Sequence, residues 1–272
     1  MKHVFLFVIS LVFSVQSFAQ VSYETFESRH LNTTRDLKIK LPNDYDPESE
    51  YRHPVILVFD AEYLFEPVMG QASYQTYFDE MPQSIIVGVV QNKERFYDSY
   101  FDEVTGLPIE SGDRFYKFIS EELIPHIDSQ YNTSKFKVAV GHNLMGNFIN
   151  SFLFHDTPIF QAYINLSPDF KGEMSDNLGT RLEWLNNEVF YYMATSDEDI
   201  RPIRDRIRTT DTTLKTLENQ NLTYYFDELV GDSHYTLVSG AIAKALDRIF
   251  ELYKPIDDKE LKEKALVYEG TL

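Results

Sequence analysis

Short apolar runs separated by longer amphipathic stretches restrict the fold of this chain more than any other feature. Residues 55–59 (VILVF), 85–90 (IIVGVV), 136–140 (FKVAV), 162–166 (AYINL), 189–193 (VFYYM) and 222–226 (LTYYF) are each the length of a strand. Several are apolar on consecutive residues, as strands covered on both faces are. Between them Phe115, Phe118, Ile119 and Leu123 recur at helical spacing, and Val238, Ala241, Ile242, Ala245 and Ile249 do so near the end. This alternation predicts an α/β fold, a mostly parallel twisted sheet with helices on both faces. Residues 37–41 (LKIKL) alternate, which predicts an antiparallel edge hairpin ahead of the parallel strands. No repeat, Gly/Ser linker or low-complexity block divides residues 20–254, so one domain with one large core is expected.

The two ends read differently. Lys2, the apolar run 4–15 and Ser17-Phe18-Ala19 have the order of an export signal, with cleavage expected between Ala19 and Gln20. The run is shorter than the roughly 20 residues of a membrane span. The expected destination is the periplasm or the extracellular medium. Residues 255–272 are charged and begin with Pro255, which ends the preceding helix, so they read as a C-terminal tail or short surface helix.

Composition excludes several classes of function. With no cysteine, disulfides, thiol chemistry and cysteine metal sites are ruled out. A net charge of -18 repels nucleic-acid phosphates and anionic membrane surfaces alike. The seven histidines contain no HExxH and no pair at i, i+4, and Asp197-Glu198-Asp199 lacks the spaced ligands of a calcium loop. No glycine-rich phosphate loop is present, so neither a metal nor a cofactor is expected.

Chemistry concentrates where residues 136–140 run into Gly141-His142-Asn143-Leu144-Met145-Gly146, followed by Phe148 and Phe152 at helical spacing. Strand, sharp turn and helix form the setting of a nucleophile elbow. There a strained residue stands above the sheet, and the next backbone N–H helps to hold an oxyanion.

Around this turn the chain resembles the putative esterase family of α/β-hydrolases, which includes esterase D-like enzymes and siderophore esterases. The likeness rests on Leu41-Pro-Asn-Asp-Tyr45, His53-Pro-Val-Ile-Leu-Val-Phe-Asp60, Arg95 followed by Asp98, Phe118-Ile-Ser-Glu-Glu-Leu-Ile-Pro125 and Leu166-Ser-Pro168. It implies an α/β-hydrolase fold and carboxylic-ester hydrolysis. The family reads GHSxGG at the elbow; here Asn143 stands for serine and Met145 for glycine. A carboxamide cannot be activated as a hydroxyl can, so Asn143 is no substitute nucleophile. Asparagine tolerates positive φ, which would let the elbow persist with little strain. Met145 is expected to push the elbow helix slightly away from the strand.

The resemblance also implies the remaining parts. His234, in Gly231-Asp-Ser-His234, matches the family histidine. For the acid, the loop after residue 194 offers Asp197, Glu198 and Asp199; spacing favours Glu198, with Asp197 second, and a solvated acidic loop would read the same way. The oxyanion donors are expected from Leu144 and from the turn containing Ala61 and Glu62, with His142 beside them. The 18 tyrosines and 21 phenylalanines are expected to be mostly core, with some around Tyr63, Phe65, Tyr74, Tyr77 and Phe78 lining a cap over the cleft. Three functions fit. One is an exported noncatalytic hydrolase that binds a small ester, a siderophore or a glycan-derived ligand. The second is an active esterase with a non-standard site, and the third a structural envelope protein.

Overall fold

The computed structural model describes residues 21–254. The expected export signal and the tail lie outside the described residues. Eight strands form one sheet: β1 (Ser22–Ser28), β2 (Thr33–Lys40), β3 (His53–Val58), β4 (Ile85–Val89), β5 (Thr133–His142), β6 (Ala162–Leu166), β7 (Val189–Glu198) and β8 (Leu222–Ser233). Their order is β1-β2-β4-β3-β5-β6-β7-β8. β1 and β2 pair antiparallel, β2 joins β4 antiparallel, and every later pairing is parallel. The expected edge hairpin and parallel sheet are therefore both present.

Strand alternation sends the two faces to separate cores. Val55, Leu57 and Phe59 pack with Phe115, Phe118, Phe148, Leu178 and Ile207 on one face. Ile56, Val58, Val138 and Val140 pack with Phe65, Val68, Ala241 and Ile242 on the other. The second face is covered by α1 (Phe65–Tyr77) and, at the end of the chain, by the helix Leu237–Ile249. Between them come the short α2 (Arg95–Asp98) and α3 (Ser111–Lys117), then a π-helical turn at Phe118–Leu123, α4 (Ile124–Gln130), α5 (Leu144–Ile149), α6 (Met174–Glu183) and α7 (Arg201–Leu214). Helix Leu237–Ile249 is α8. No described helix is long and apolar enough to cross a membrane.

Two differences from the sequence reading bear on function. β7 does not stop near Met193 but continues to Glu198, paired with β8 as far as Ser233 across an irregularity between Ser196 and Glu198. Buried Thr195 and Ser196 sustain that extension, and neither is apolar enough to announce a strand. The aromatic cap is also not assembled. Phe65 is buried in the core, while Tyr77 borders a cavity with Ser84 and Ile86 at the start of β4, the end of the sheet away from the elbow. Of these expected cap residues, Tyr63 is the one that reaches the elbow, at His142.

Candidate active site

Three turns at the carboxyl ends of neighbouring strands hold residues other than glycine at positive φ. They are Asp60 after β3 (φ 50°), Asn143 after β5 (φ 57°) and Ser167 after β6 (φ 43°). Such conformations cost on the order of 1–3 kcal/mol each and gather where a structure holds a site. Asn143 combines φ 57° with ψ -117°, which is the first central position of a type II′ turn and not the left-handed helical region. The expectation that asparagine would relieve the strain is therefore corrected, because its preference is for the left-handed region. Backbone bonds hold the turn instead: Asn143 N–H donates to Leu166 O, and Asn143 O accepts from Asn147 and Asp169 N–H.

Gly141 lets helix and strand meet at this turn. A Cβ there would stand 2.4 Å from the Met145 carbonyl oxygen. The Met145 side chain points elsewhere, fully buried in the core, with its sulfur 3.5 Å from Gln91 Nε2. The expected displacement of the helix by Met145 is not found, because only the Met145 backbone faces the strand.

The tip of the elbow meets a complete base. Asn143 Nδ2 is 3.2 Å from His234 Nε2 although the two residues are 91 positions apart. His234 Nδ1–H donates to Asp199 Oδ1 at 2.7 Å, so Nε2 carries the lone pair and the Asn143 amide donates into it. Asp199 also accepts from Ser167 Oγ at 2.6 Å, Thr195 Oγ1 at 2.7 Å and Ile200 N–H at 2.7 Å. Burial alone would raise the Asp199 carboxyl; the hydrogen bonds from His234, Ser167, Thr195 and Ile200 outweigh it and hold the group below its ordinary value.

Neither Glu198 nor Asp197, the two favoured acids, is the partner of His234. Both side chains are exposed at the end of β7, and Asp197 Oδ1 accepts from Gly231 N–H. Spacing misled because β7 is longer than its apolar part. The residue that turns inward is Asp199, directly ahead of Ile200, the N-cap of α7, whose first turn contains Pro202. Asp199 was visible in the acidic run; the signal that singles it out is the helix start immediately behind it.

The oxyanion positions divide. Leu144 opens α5, where an N–H has no intrahelical acceptor, and neither it nor the Glu62 N–H is donated among the described residues. Ala61 is unavailable, since its N–H already donates to Val89 O. The Glu62 carboxylate accepts the N–H groups of Gln91 and Asn92 and so fixes that turn.

His142 lies beneath the cleft and not in it. Its Nε2–H donates to the His234 carbonyl at 3.1 Å, and its Nδ1 is 3.1 Å from the Tyr63 hydroxyl. Tyr63 is also 2.9 Å from Asp60 Oδ2, and Arg95 Nε donates to Asp60 Oδ1 at 2.8 Å. Burial, with His234 alongside, lowers His142 to about 4. Burial likewise raises the Asp60 carboxyl, against the pull of Arg95. Arg95, a family marker in the sequence, and Tyr63, an expected cap residue, instead brace the histidines through Asp60 and His142.

The sequence profile of the family described as "Putative esterase" matches residues 28–149. The ferri-bacillibactin esterase BesA of Bacillus subtilis is 24% identical over 250 residues, which cover 80% of this chain and 86% of the relative. The chain belongs to the putative esterase family. An uncharacterised protein from Capnocytophaga ochracea has a solved structure 32% identical to this member of the family, with a TM-score of 0.82 over 90% of this chain and 68% of the other. An IroE-like serine hydrolase from Shewanella oneidensis (23% identity, TM-score 0.72, covering 85% and 80% of the two chains) shares the α/β-hydrolase fold. In this esterase-family chain the elbow, the histidine and its carboxylate stand together, and the residue at the tip is Asn143.

Proposed function

We propose that this chain is an exported, ligand-binding member of the family, holding a small ester or acyl compound over Asn143 without transferring it to a serine. One observation carries the reading: the Asn143 amide donates into the His234 Nε2 lone pair at 3.2 Å. That lone pair is what a serine hydroxyl would use as its base. Loss of a serine nucleophile costs on the order of 10⁶ in kcat in a well-studied protease, about 8 kcal/mol. The undonated Leu144 and Glu62 N–H groups leave two donors for a ligand carbonyl or carboxylate. Given the relative named as a ferri-bacillibactin esterase, ferric siderophores and their ester fragments are the first ligands to try.

A second reading, hydrolysis by a water activated at His234, draws support from Asp199, whose four donors keep it ionised behind the histidine. Turnover of short aryl esters separates the two. The binding reading expects no turnover and no fluorophosphonate labelling, together with a rise in melting temperature on adding a siderophore ester. Ester turnover that disappears in His234→Ala would establish the second reading instead.

A further inference from the structure

We propose that Asn143 is a self-modification site, its carboxamide converted to a carboxylate through ring closure onto the backbone nitrogen of Leu144. The inference is independent of whether the cleft binds a ligand. Viewed along the Cα–C bond, the substituents on Cα are spaced about 120° in torsion, so at the ψ of -117° the Asn143 Cβ and the Leu144 nitrogen nearly eclipse. That is the arrangement of a five-membered succinimide ring, which is all but planar. Extended and helical backbones hold the two atoms apart. What brings Cγ onto the nitrogen is rotation about Cα–Cβ alone. The attacking nitrogen is also unencumbered, since the Leu144 N–H is donated to no acceptor among the described residues.

His234 supplies the proton traffic. Before that rotation its Nε2 lies 3.2 Å from Asn143 Nδ2, the nitrogen that must leave. In the first step Leu144 N bonds to Asn143 Cγ and its proton passes to His234. His234 then protonates Nδ2, the Cγ–Nδ2 bond breaks, and ammonia departs. One water opens the imide: attack at Cγ yields aspartate, and attack at the backbone carbonyl yields isoaspartate. Overall a carboxamide and a water become a carboxylate and ammonium, with no oxidant or further reagent. The aspartate product places an anionic oxygen at the elbow, a type of nucleophile used by other hydrolases.

The chain contains its own controls, because Asn-Leu also occurs at Asn165-Leu166, Asn177-Leu178 and Asn221-Leu222. Asn165 lies in β6, Asn177 in α6, and Asn221 immediately before β8. Native protein is incubated in mildly alkaline buffer, digested and followed by peptide mass spectrometry for the exchange of NH2 for OH. The expected result is conversion at Asn143 about tenfold or more faster than at the other three sites, as pre-orientation would give. In denatured protein the four sites should converge, and His234→Ala should slow Asn143 alone. Conversion at Asn143 no faster than at Asn165, Asn177 and Asn221 in native protein overturns the proposal. An unchanged rate in His234→Ala, in protein whose melting curve shows it folded, overturns the role given to His234.

Discussion

Ser167 Oγ lies 2.6 Å from Asp199 Oδ2 and 3.0 Å from His234 Nδ1. One buried hydroxyl, delivered by the turn after β6, thus ties together a carboxylate that follows β7 and a histidine that follows β8. Ser167→Ala removes one of four donors from a buried anion, a loss of about 1–2 kcal/mol. For a domain of this size each kcal/mol shifts the melting temperature by roughly 2–4 °C. Ser167→Ala and Thr195→Ala should be non-additive, since both donate to Asp199 Oδ2. Thermal melts of the two single variants and the double variant test this; strict additivity would show that the hydroxyls act separately.

Strain at the elbow gives a prediction of unusual sign. Alanine is ordinarily the more stable choice over glycine, by about 0.4–1 kcal/mol through the unfolded chain. At φ 57° and ψ -117° a Cβ costs on the order of 1–3 kcal/mol. Both Asn143→Gly and Asn143→Ala lose the amide bond to His234, so that term cancels between them. Asn143→Gly should therefore be the more stable by on the order of 1 kcal/mol. Denaturant titrations that rank Asn143→Ala higher would mean that the elbow relaxes in the absence of the side chain.

How much of this was legible beforehand depends on which physical signal each part leaves in a sequence. The strand cores and their order are carried by apolar runs, and the elbow by Gly141 together with the strand before it. The pairing of Asn143 with His234 follows from the order of parts in a hydrolase sheet and is met at 3.2 Å. Asp199 was not resolved from its neighbours, because β7 extends through the polar residues Thr195 and Ser196, which periodicity does not count as strand. Met145 was misjudged for another reason: a departure from a family motif says nothing about which way the side chain points, and here it points into the core. His142 and Tyr63 belong to a polar network that only the assembled turns create.

That network should have a signature in pH. His142 is held at about 4 by burial, against an ordinary value of 6.5. Above pH 6.5 the residue is neutral whether the chain is folded or not. As pH falls from 6.5 towards 4 the unfolded chain takes up a proton that the folded one refuses, so stability is lost across that window, by roughly 3 kcal/mol at its lower end. His142→Gln cannot take up that proton. The stability difference between parent and variant should shrink by this amount between pH 6.5 and 4, while groups common to both, such as the raised Asp98 carboxyl, cancel. Parallel stability curves over the same range would show that His142 is protonated within the fold.

The strongest test of the site is to replace only the atom that matters. Asn143→Ser puts a hydroxyl where an amide now donates to His234 Nε2, with Asp199 already bonded to Nδ1. An elbow helix pushed away by Met145, as the sequence alone suggests, would require Met145→Gly as well. With Gly141 already meeting the Met145 backbone and the Met145 side chain filling the core, the single substitution should suffice. It should yield fluorophosphonate labelling at residue 143 and aryl-ester turnover absent from the parent, both abolished by adding His234→Ala. Met145→Gly should instead cost about 2–5 kcal/mol from the cavity, plus about 1 kcal/mol for glycine in a helix. The double variant is thus expected to be less stable and no more active. If activity appears only in the double variant, the methionine does obstruct the elbow and the close approach at Gly141 is not what a reacting serine requires.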